Sequence, residues 1–380
     1  MISFSLLLTV FAISELNFKE IDMNQSPYDA IILKNQERAR NGEFSEDGFP
    51  SDINSTDYAD LYPLVYGREC GSTGIGKLRE VALTKITKHE KNPLYREGSK
   101  NFHKWAVPYD SLDISKMQDQ SAQYEEALTA AGVLVHRIAF PDPPVSAYGP
   151  MQYMWAAREL LVLKGGSVIP KMGWSPLSVG RAEFLALWAF NNLGVPPILA
   201  ITGKGVCEAG PCMFLAEDVF VGAISAAFNQ DGIDQLYQTV QRTQGIDMTF
   251  LTLKCSSPYY FDVESGVSAH PDMVLGPLDL KKVIVYAGGI DYETFDWLKQ
   301  NNYQIIEVDH DEQIQFAPTN VVVLEPGRVI MHAEATKAIA AVRKAGVDVV
   351  PVPYSEFPKA GGGVHCSTME VFRETGPTLR

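Results

Sequence analysis

Five times along the chain, an amphipathic helical segment runs through a glycine or other turn residue into an apolar strand. The junctions are Ala131-Gly132-Val133-Leu134-Val135, Leu193-Gly194-Val195-Pro196, Gln244-Gly245-Ile246-Asp247, Asn301-Asn302-Tyr303-Gln304-Ile305 and Ala345-Gly346-Val347-Asp348-Val349. The segments before them carry apolar residues at helical spacing, as in Ala335, Ala338, Ile339 and Val342, or Phe295 and Leu298. Between the junctions lie pairs of short strands joined by tight turns. Residues 160–163 and 167–170 flank Gly165-Gly166, and residues 321–324 and 328–331 flank Pro326-Gly327. The junctions recur about every 45–60 residues, slightly above the usual period of repeat units. Two-residue turns join antiparallel strands, whereas a doubly wound parallel sheet needs long crossovers. The pattern therefore predicts an α/β chain of hairpin-plus-helix units.

Polar residues fall at one phase of this repeat. Arg158-Glu159 precedes the strand at 160–163, Glu208 precedes 213–216, and His270 with Asp272 precedes 273–275. Asn320 precedes 321–324, and Cys366 precedes 369–372. Copies arranged around a pseudo-symmetry axis would bring these side chains together at its centre. Cys366 follows a glycine run, Ala360-Gly361-Gly362-Gly363-Val364-His365, which lets backbone approach a ligand closely. Cysteine attacks carbon as thiolate and needs a histidine or a cation near it. His270-Pro271-Asp272 has the spacing of a base with its carboxylate neighbour. His365 is expected to point to the opposite strand face from Cys366 and to serve packing or hydrogen bonding.

On these motifs the chain resembles the guanidino-group-modifying superfamily of amidinotransferases, arginine deiminases and dimethylargininases. The resemblance spans residues 62–375. It rests on Arg158-Glu159, Glu208-Ala209-Gly210-Pro211, His270-Pro271-Asp272, Cys366 and the opening strand Lys77-Leu78-Arg79-Glu80-Val81-Ala82-Leu83. It implies a five-fold pseudo-symmetric α/β propeller of ββαβ units, the pentein fold, occupying residues 61–380. Residues 1–60 form an N-terminal extension. It further implies Cys366, His270 and Asp272 as catalytic residues, with Glu159, Glu208, Arg158 and Asn320 binding substrate. The Gly-Gly-Gly-x-His-Cys-x-Thr form at 361–368 is closest to the amidinotransferase branch. Two departures stand out: Glu159 replaces the usual aspartate, and Pro211 replaces a second acid.

The residue types fit that chemistry. A guanidinium is planar and cationic, and carboxylates bind it in its plane. Nearby acids raise the thiol's pKa, and a bound cation reverses that field. Cys366 would attack the central carbon, while His270 protonates the leaving amine and then deprotonates the second nucleophile. An amine as that nucleophile makes an amidinotransferase, the favoured reading; water makes an amidinohydrolase of the arginine deiminase or dimethylargininase type. A protein that binds arginine-like ligands without turnover is the non-enzymatic alternative.

Other features are set aside on physical grounds. Gly71-Ser72-Thr73-Gly74-Ile75-Gly76-Lys77-Leu78 imitates a phosphate-binding loop. Leu78 stands where a magnesium-binding hydroxyl is required, and a strand follows instead of a helix. Cys70, Cys207, Cys212 and Cys255 read as buried apolar residues. His89, His103, His136 and His310 lack partners at useful spacing. No metal spacing is present, and no cofactor is expected. A net charge of −14 argues against nucleic acid and anionic membranes. Partners are expected to be a small guanidino compound such as arginine, an amine acceptor and a second copy of the chain. Five cysteines without paired spacing point to a reducing, cytoplasmic setting. The apolar start, residues 2–13, is too short for a membrane helix and keeps a mitochondrial or secreted location open. Residues 24–60 read as a polar arm.

Overall fold

Turn chemistry decides where each helix stops. In the computed structural model, Gly132, Gly194, Gly245, Asn302 and Gly346 have φ between 60° and 80°. A left-handed residue lets the last helical carbonyls find donors while the chain reverses. Four of the five are glycine, which adopts this conformation without steric cost. The structure describes residues 66–86, 112–140, 156–173, 180–255, 261–262 and 267–380, with isolated positions at 37, 40–42, 59 and 62. His89, His103 and nearly all of the expected N-terminal extension lie outside them.

Among the described residues, five three-stranded sheets follow one plan. The first holds β1 (Leu78–Thr84), helix α1 (Ile114–Ala130) and β2 (Leu134–Ile138), with β2 parallel to β1. The second runs β3 (Leu161–Leu163), β4 (Gly166–Ile169), α2 (Arg181–Leu193) and β5 (Pro197–Ala200). The third runs β6 (Met213–Ala216), β7 (Val219–Ile224), α3 (Gln230–Gln244) and β8 (Thr249–Lys254). A small ladder of β9 (Phe261–Asp262) and β10 (Val267–Ser268) precedes the fourth. That sheet runs β11 (Leu275–Asp279), β12 (Lys282–Val285), α4 (Tyr292–Gln300) and β13 (Gln304–Glu307). After the short α5 (His310–Phe316) comes the fifth: β14 (Val322–Glu325), β15 (Arg328–His332), α6 (Thr336–Lys344) and β16 (Asp348–Val352).

In the second to fifth sheets the first two strands form an antiparallel hairpin, and the third returns parallel after the helix. The first sheet obtains its antiparallel strand from the other end of the chain. There β17 (Thr368–Arg373) pairs with β1, from Leu83 opposite Thr368 to Leu78 opposite Arg373. The hairpins expected from sequence are therefore present, shifted by a residue or so. The phosphate-loop imitation leads into β1 and opens no helix.

The inner strands are buried on both faces, so β6 and β7 read as continuous apolar runs. Leu161, Leu163 and Val168 share a core with Met213–Ala216 and Leu275. Leu278 and Ile284 share another with Val321, Val323, Val329 and Met331. Strand β17 packs on β3, β6 on β11, β11 on β14, and β14 on β1. Residues 57–62 and 69–380 form one compact unit, which contains all these elements. Among the described residues no helix is long and apolar enough to cross a membrane.

Candidate active site

Cys366 sits on a turn over residues 364–367, and strand β17 begins only at Thr368. The side chains that follow it hold that turn. Thr368 Oγ1 donates to the Val364 carbonyl at 2.6 Å, and Ser367 Oγ donates to the same oxygen at 3.1 Å. Tyr354 and Tyr124 each bond one of these hydroxyls, at 2.6 and 2.7 Å. Asn320, just before β14, fixes the turn from the facing sheet. Its Oδ1 accepts from the backbone N–H of His365 (2.9 Å) and of Cys366 (3.1 Å). Its Nδ2 donates to Cys366 Sγ at 3.1 Å and to Asp272 Oδ2 at 3.0 Å. Asn320, expected to bind substrate, therefore spends both ends of its amide on the Cys366 turn and Asp272.

The expected His270–Asp272 pair is not formed. Pro271–Met273 is a 3₁₀ turn with proline in its first position and His270 at its N-cap. With about three residues per revolution, residues two apart project to different sides. Asp272 accepts a hydrogen bond from His365 Nδ1 at 2.8 Å, and Cys366 Sγ lies 3.6 Å from the same oxygen. His270 Nε2 instead meets Glu208 Oε2 at 2.8 Å, while Gly173 N–H donates to Glu208 Oε1 at 3.0 Å. His365 was expected to face away on a regular strand. The turn geometry removes that alternation and brings it to Asp272.

Arg158 and Glu159 end a 3₁₀ turn over Ala156–Glu159. Arg158 Nη2 donates to the Cys212 carbonyl at 3.1 Å. Glu159 Oε1 accepts from Arg181 Nε at 2.5 Å, so its first partner is a protein guanidinium. The Glu208–Pro211 run packs directly on this turn. A Cβ at Gly210 would lie 1.5 Å from the Arg158 carbonyl oxygen, so only glycine fits. Pro211 is buried, and no second acid stands there.

Burial, followed by the charge of Asp272, pushes the Cys366 thiol pKa well up. Burial would also raise Asp272, but the hydrogen bond from His365 leads the effects that outweigh it and hold the carboxyl below its ordinary range. His365 is pushed down by burial and by Arg158, so it is neutral at pH 7. The arrangement is a protonated thiol beside a fixed carboxylate. Asp272 Oδ1 is buried and has no hydrogen-bond partner among the described residues.

Elsewhere the cysteines Cys70, Cys207, Cys212 and Cys255 are buried thiols. His136 meets Glu80 at 2.7 Å and His310 meets Tyr286 at 2.7 Å, cross-element contacts that sequence spacing did not reveal. Among the described residues no group of three or more His, Cys, Asp or Glu side chains is placed to hold a metal ion. Sequence reasoning missed three residues at the site. For His365, the hydroxyl residues Ser367 and Thr368 beside it were a readable sign of a turn. Arg181 and the buried His332 left no local signal.

The chain is similar to several known proteins. Residues 280–373 match the arginine deiminase family. The chain is 38% identical over 322 residues to a 2-nitroimidazole nitrohydrolase of Mycobacterium sp. strain JS330, covering 83% of this chain and 85% of that one. It is 24% identical to inosamine-phosphate amidinotransferase 1 of Streptomyces glaucescens, over 71% of this chain and 84% of that one. Its fold is similar to that of the dimethylarginine dimethylaminohydrolase of Pseudomonas aeruginosa solved with citrulline. The TM-score is 0.59 at 19% identity, covering 78% of this chain and 100% of that chain. By its motifs, its sheet plan and these relatives, the chain belongs to the guanidino-group-modifying enzyme superfamily.

Proposed function

We propose that the protein is a Cys366-dependent hydrolase that displaces a group from a planar carbon bonded to nitrogen, as in a guanidine, an amidine or a nitroimidazole. The observation that carries this reading is the setting of the thiol. Sγ lies 3.1 Å from the Asn320 amide and 3.6 Å from Asp272, whose second oxygen is buried without a partner among the described residues. A substrate N–H bonded to Asp272 Oδ1 brings the adjoining carbon toward Sγ. Sγ then bonds to that carbon, and the departing group leaves with its bonding pair, an amine taking a proton from His270 as it goes and nitrite needing none. The thiol proton passes to Asp272 Oδ2, the carboxylate oxygen within reach. His270, oriented by Glu208, takes a proton from the water that releases the adduct.

Water as acceptor is supported by the nitrohydrolase, the more similar of the two named relatives. Transfer to an amine is supported by the glycine run Gly361-Gly362-Gly363 before His365-Cys366 and by the amidinotransferase relative. We also infer that the five sheets close into a propeller with this site at its centre. The β17–β1 pairing, the strand packing between neighbouring sheets and the core shared by the second and third support that closure.

The test is intact-protein mass spectrometry after quenching reactions with arginine, agmatine and 2-nitroimidazole, wild type beside Cys366→Ala. A covalent adduct and released product are expected in wild type, with turnover reduced at least about a thousandfold in the variant. Added glycine or lysine should leave the product unchanged; diversion of the group onto either amine establishes the transferase reading instead. Wild type that gives neither adduct nor Cys366-dependent product with any of the three substrates overturns the assignment.

A further inference from the structure

Arg181 opens helix α2 and is only 2% exposed. Local structure does not favour it there. A cation in the first turn faces the positive end of the helix dipole, and a buried guanidinium loses its hydration. Gly180 before it is left-handed and supplies no side-chain cap. Glu159 offsets these costs, since its Oε1 accepts from Arg181 Nε and also meets Nη2. Glu159 is itself buried and adjoins Arg158, whose guanidinium lies in the fields of Asp272 and Cys366. The charge of Glu208 also reaches Glu159. The turn that carries Glu159 packs on the Glu208–Pro211 run, whose Glu208 meets His270, and its Arg158 lines one cavity with Cys212 and His365, so the Glu159–Arg181 pair adjoins the Cys366 site.

We propose that Arg181 is a specificity-determining residue, an internal guanidinium that takes up Glu159 and sets the site for planar C–N substrates carrying no positive charge. This rests on the Cys366 displacement reaction proposed above. Glu159 is one of the carboxylates that the sequence pattern offers to a substrate guanidinium, and it is already bound to one. A second cation brought to it would meet the charge of Arg181. Glu208 is shared between His270 and the Gly173 backbone, and Pro211 stands where another acid would add negative charge. Asp272 Oδ1 and Glu159 Oε2 are both buried without a partner among the described residues, but Arg181 offsets the charge of Glu159, and a carboxylate oxygen accepts an N–H from an uncharged azole as readily in geometry as from a cation.

The test compares kcat/KM for the cationic and uncharged substrates of the panel above and, separately, agmatine binding by calorimetry. Wild type should prefer the uncharged substrate. In Arg181→Gln the preference should move toward the cations by about tenfold or more, the scale of coupling between close charges. Agmatine should bind this variant tighter by a similar factor. Arg181→Lys, which keeps the charge, should stay near wild type. The double variant Glu159→Gln with Arg181→Gln, again locally neutral, should revert toward it. Wild type that prefers arginine or agmatine overturns the proposal. So does folded Arg181→Gln with unchanged preference and unchanged agmatine affinity. If Arg181→Gln does not fold, the wild-type preference and the double variant decide in the same sense. Loss of all Cys366-dependent turnover sinks the reaction assignment alone, because the binding comparison still reads the role of Arg181.

Discussion

His332, at the end of β15, is fully buried, and neither ring nitrogen has a hydrogen-bond partner among the described residues. A neutral imidazole left in this state costs about 1–3 kcal/mol for its unmade hydrogen bond. Protonation would cost more, and burial lowers its pKa to about 3. The unfolded chain, with an ordinary histidine near 6.5, binds the proton first. Between pH 6.5 and pH 3 the unfolded state therefore holds more protons, and stability falls as pH falls. Replacing His332 by leucine removes both costs. We expect His332→Leu to be at least as stable as wild type at pH 7. Its advantage should grow by about 2 kcal/mol on going to pH 5. His365, also lowered by burial, contributes the same sign in both proteins and cancels in the difference. Urea midpoints at the two pH values check this, and an unchanged difference would show that His332 accepts its proton in the folded state.

At the scale of single elements, the turn that presents Cys366 depends on Gly363. A Cβ there would lie 2.6 Å from Asn320 Oδ1, 2.8 Å from His332 Nε2 and 3.0 Å from Asn320 Cβ. Asn320 is held by bonds at both ends of its amide, so it yields only by letting go of the Cys366 turn. Gly363→Ala should lower kcat/KM by about a hundredfold, the cost of roughly 1 Å of misplacement, while overpacking lowers stability by about 1–3 kcal/mol. Gly346→Ala is the control. Its φ is 80°, a Cβ would meet nothing within 4 Å, and it lies at a helix–strand junction. That change should cost about 1–2 kcal/mol of left-handed strain and leave kcat/KM alone. Equal activity in the two variants would mean that the turn tolerates a shift of Asn320. The contrast also separates what sequence could reveal from what it could not. Junction glycines answer to a local need, and the phase of Glu208, Asp272, Asn320 and Cys366 follows from the repeat, so both were legible. The partner of Asp272 was not, because the two-residue spacing of His270 was read as a base with its carboxylate neighbour and proline makes it a 3₁₀ turn. Arg181 was invisible for another reason. Its meaning lies wholly in Glu159, a partner 22 residues away that only the folded second sheet brings close.

Across the whole molecule, the chain's last strand completes its first sheet, and the segment beyond that strand ties the closure to the third sheet. Gly376 N–H donates to Glu217 Oε1 at 2.7 Å, Leu379 N–H to Asp218 Oδ1 at 2.6 Å, and Arg380 N–H to Asp218 Oδ2 at 3.1 Å. In return, the Pro377 carbonyl accepts from Glu217 N–H at 3.0 Å. Glu217 and Asp218 form the turn between β6 and β7, and both are buried. Thr73 Oγ1 also donates to Glu217, from the segment leading into β1. Burial raises the Glu217 carboxyl, and the Gly376 N–H is the largest influence opposing it. Deleting residues 376–380 strips main-chain donors from two buried carboxylates, at about 1–3 kcal/mol for each group left unpaired. Because the sheets share continuous cores, unfolding should remain one transition with an unchanged slope in urea, and only its midpoint should fall. The sign of the pH dependence follows from Glu217. Without Gly376 its folded pKa rises further above the unfolded value, so the shortened chain gains a proton on folding as pH falls. Its deficit should therefore be largest at pH 7 and shrink toward pH 5. A midpoint that does not move, or a deficit that is flat between those pH values, would show that the closure of the first sheet holds without the tail.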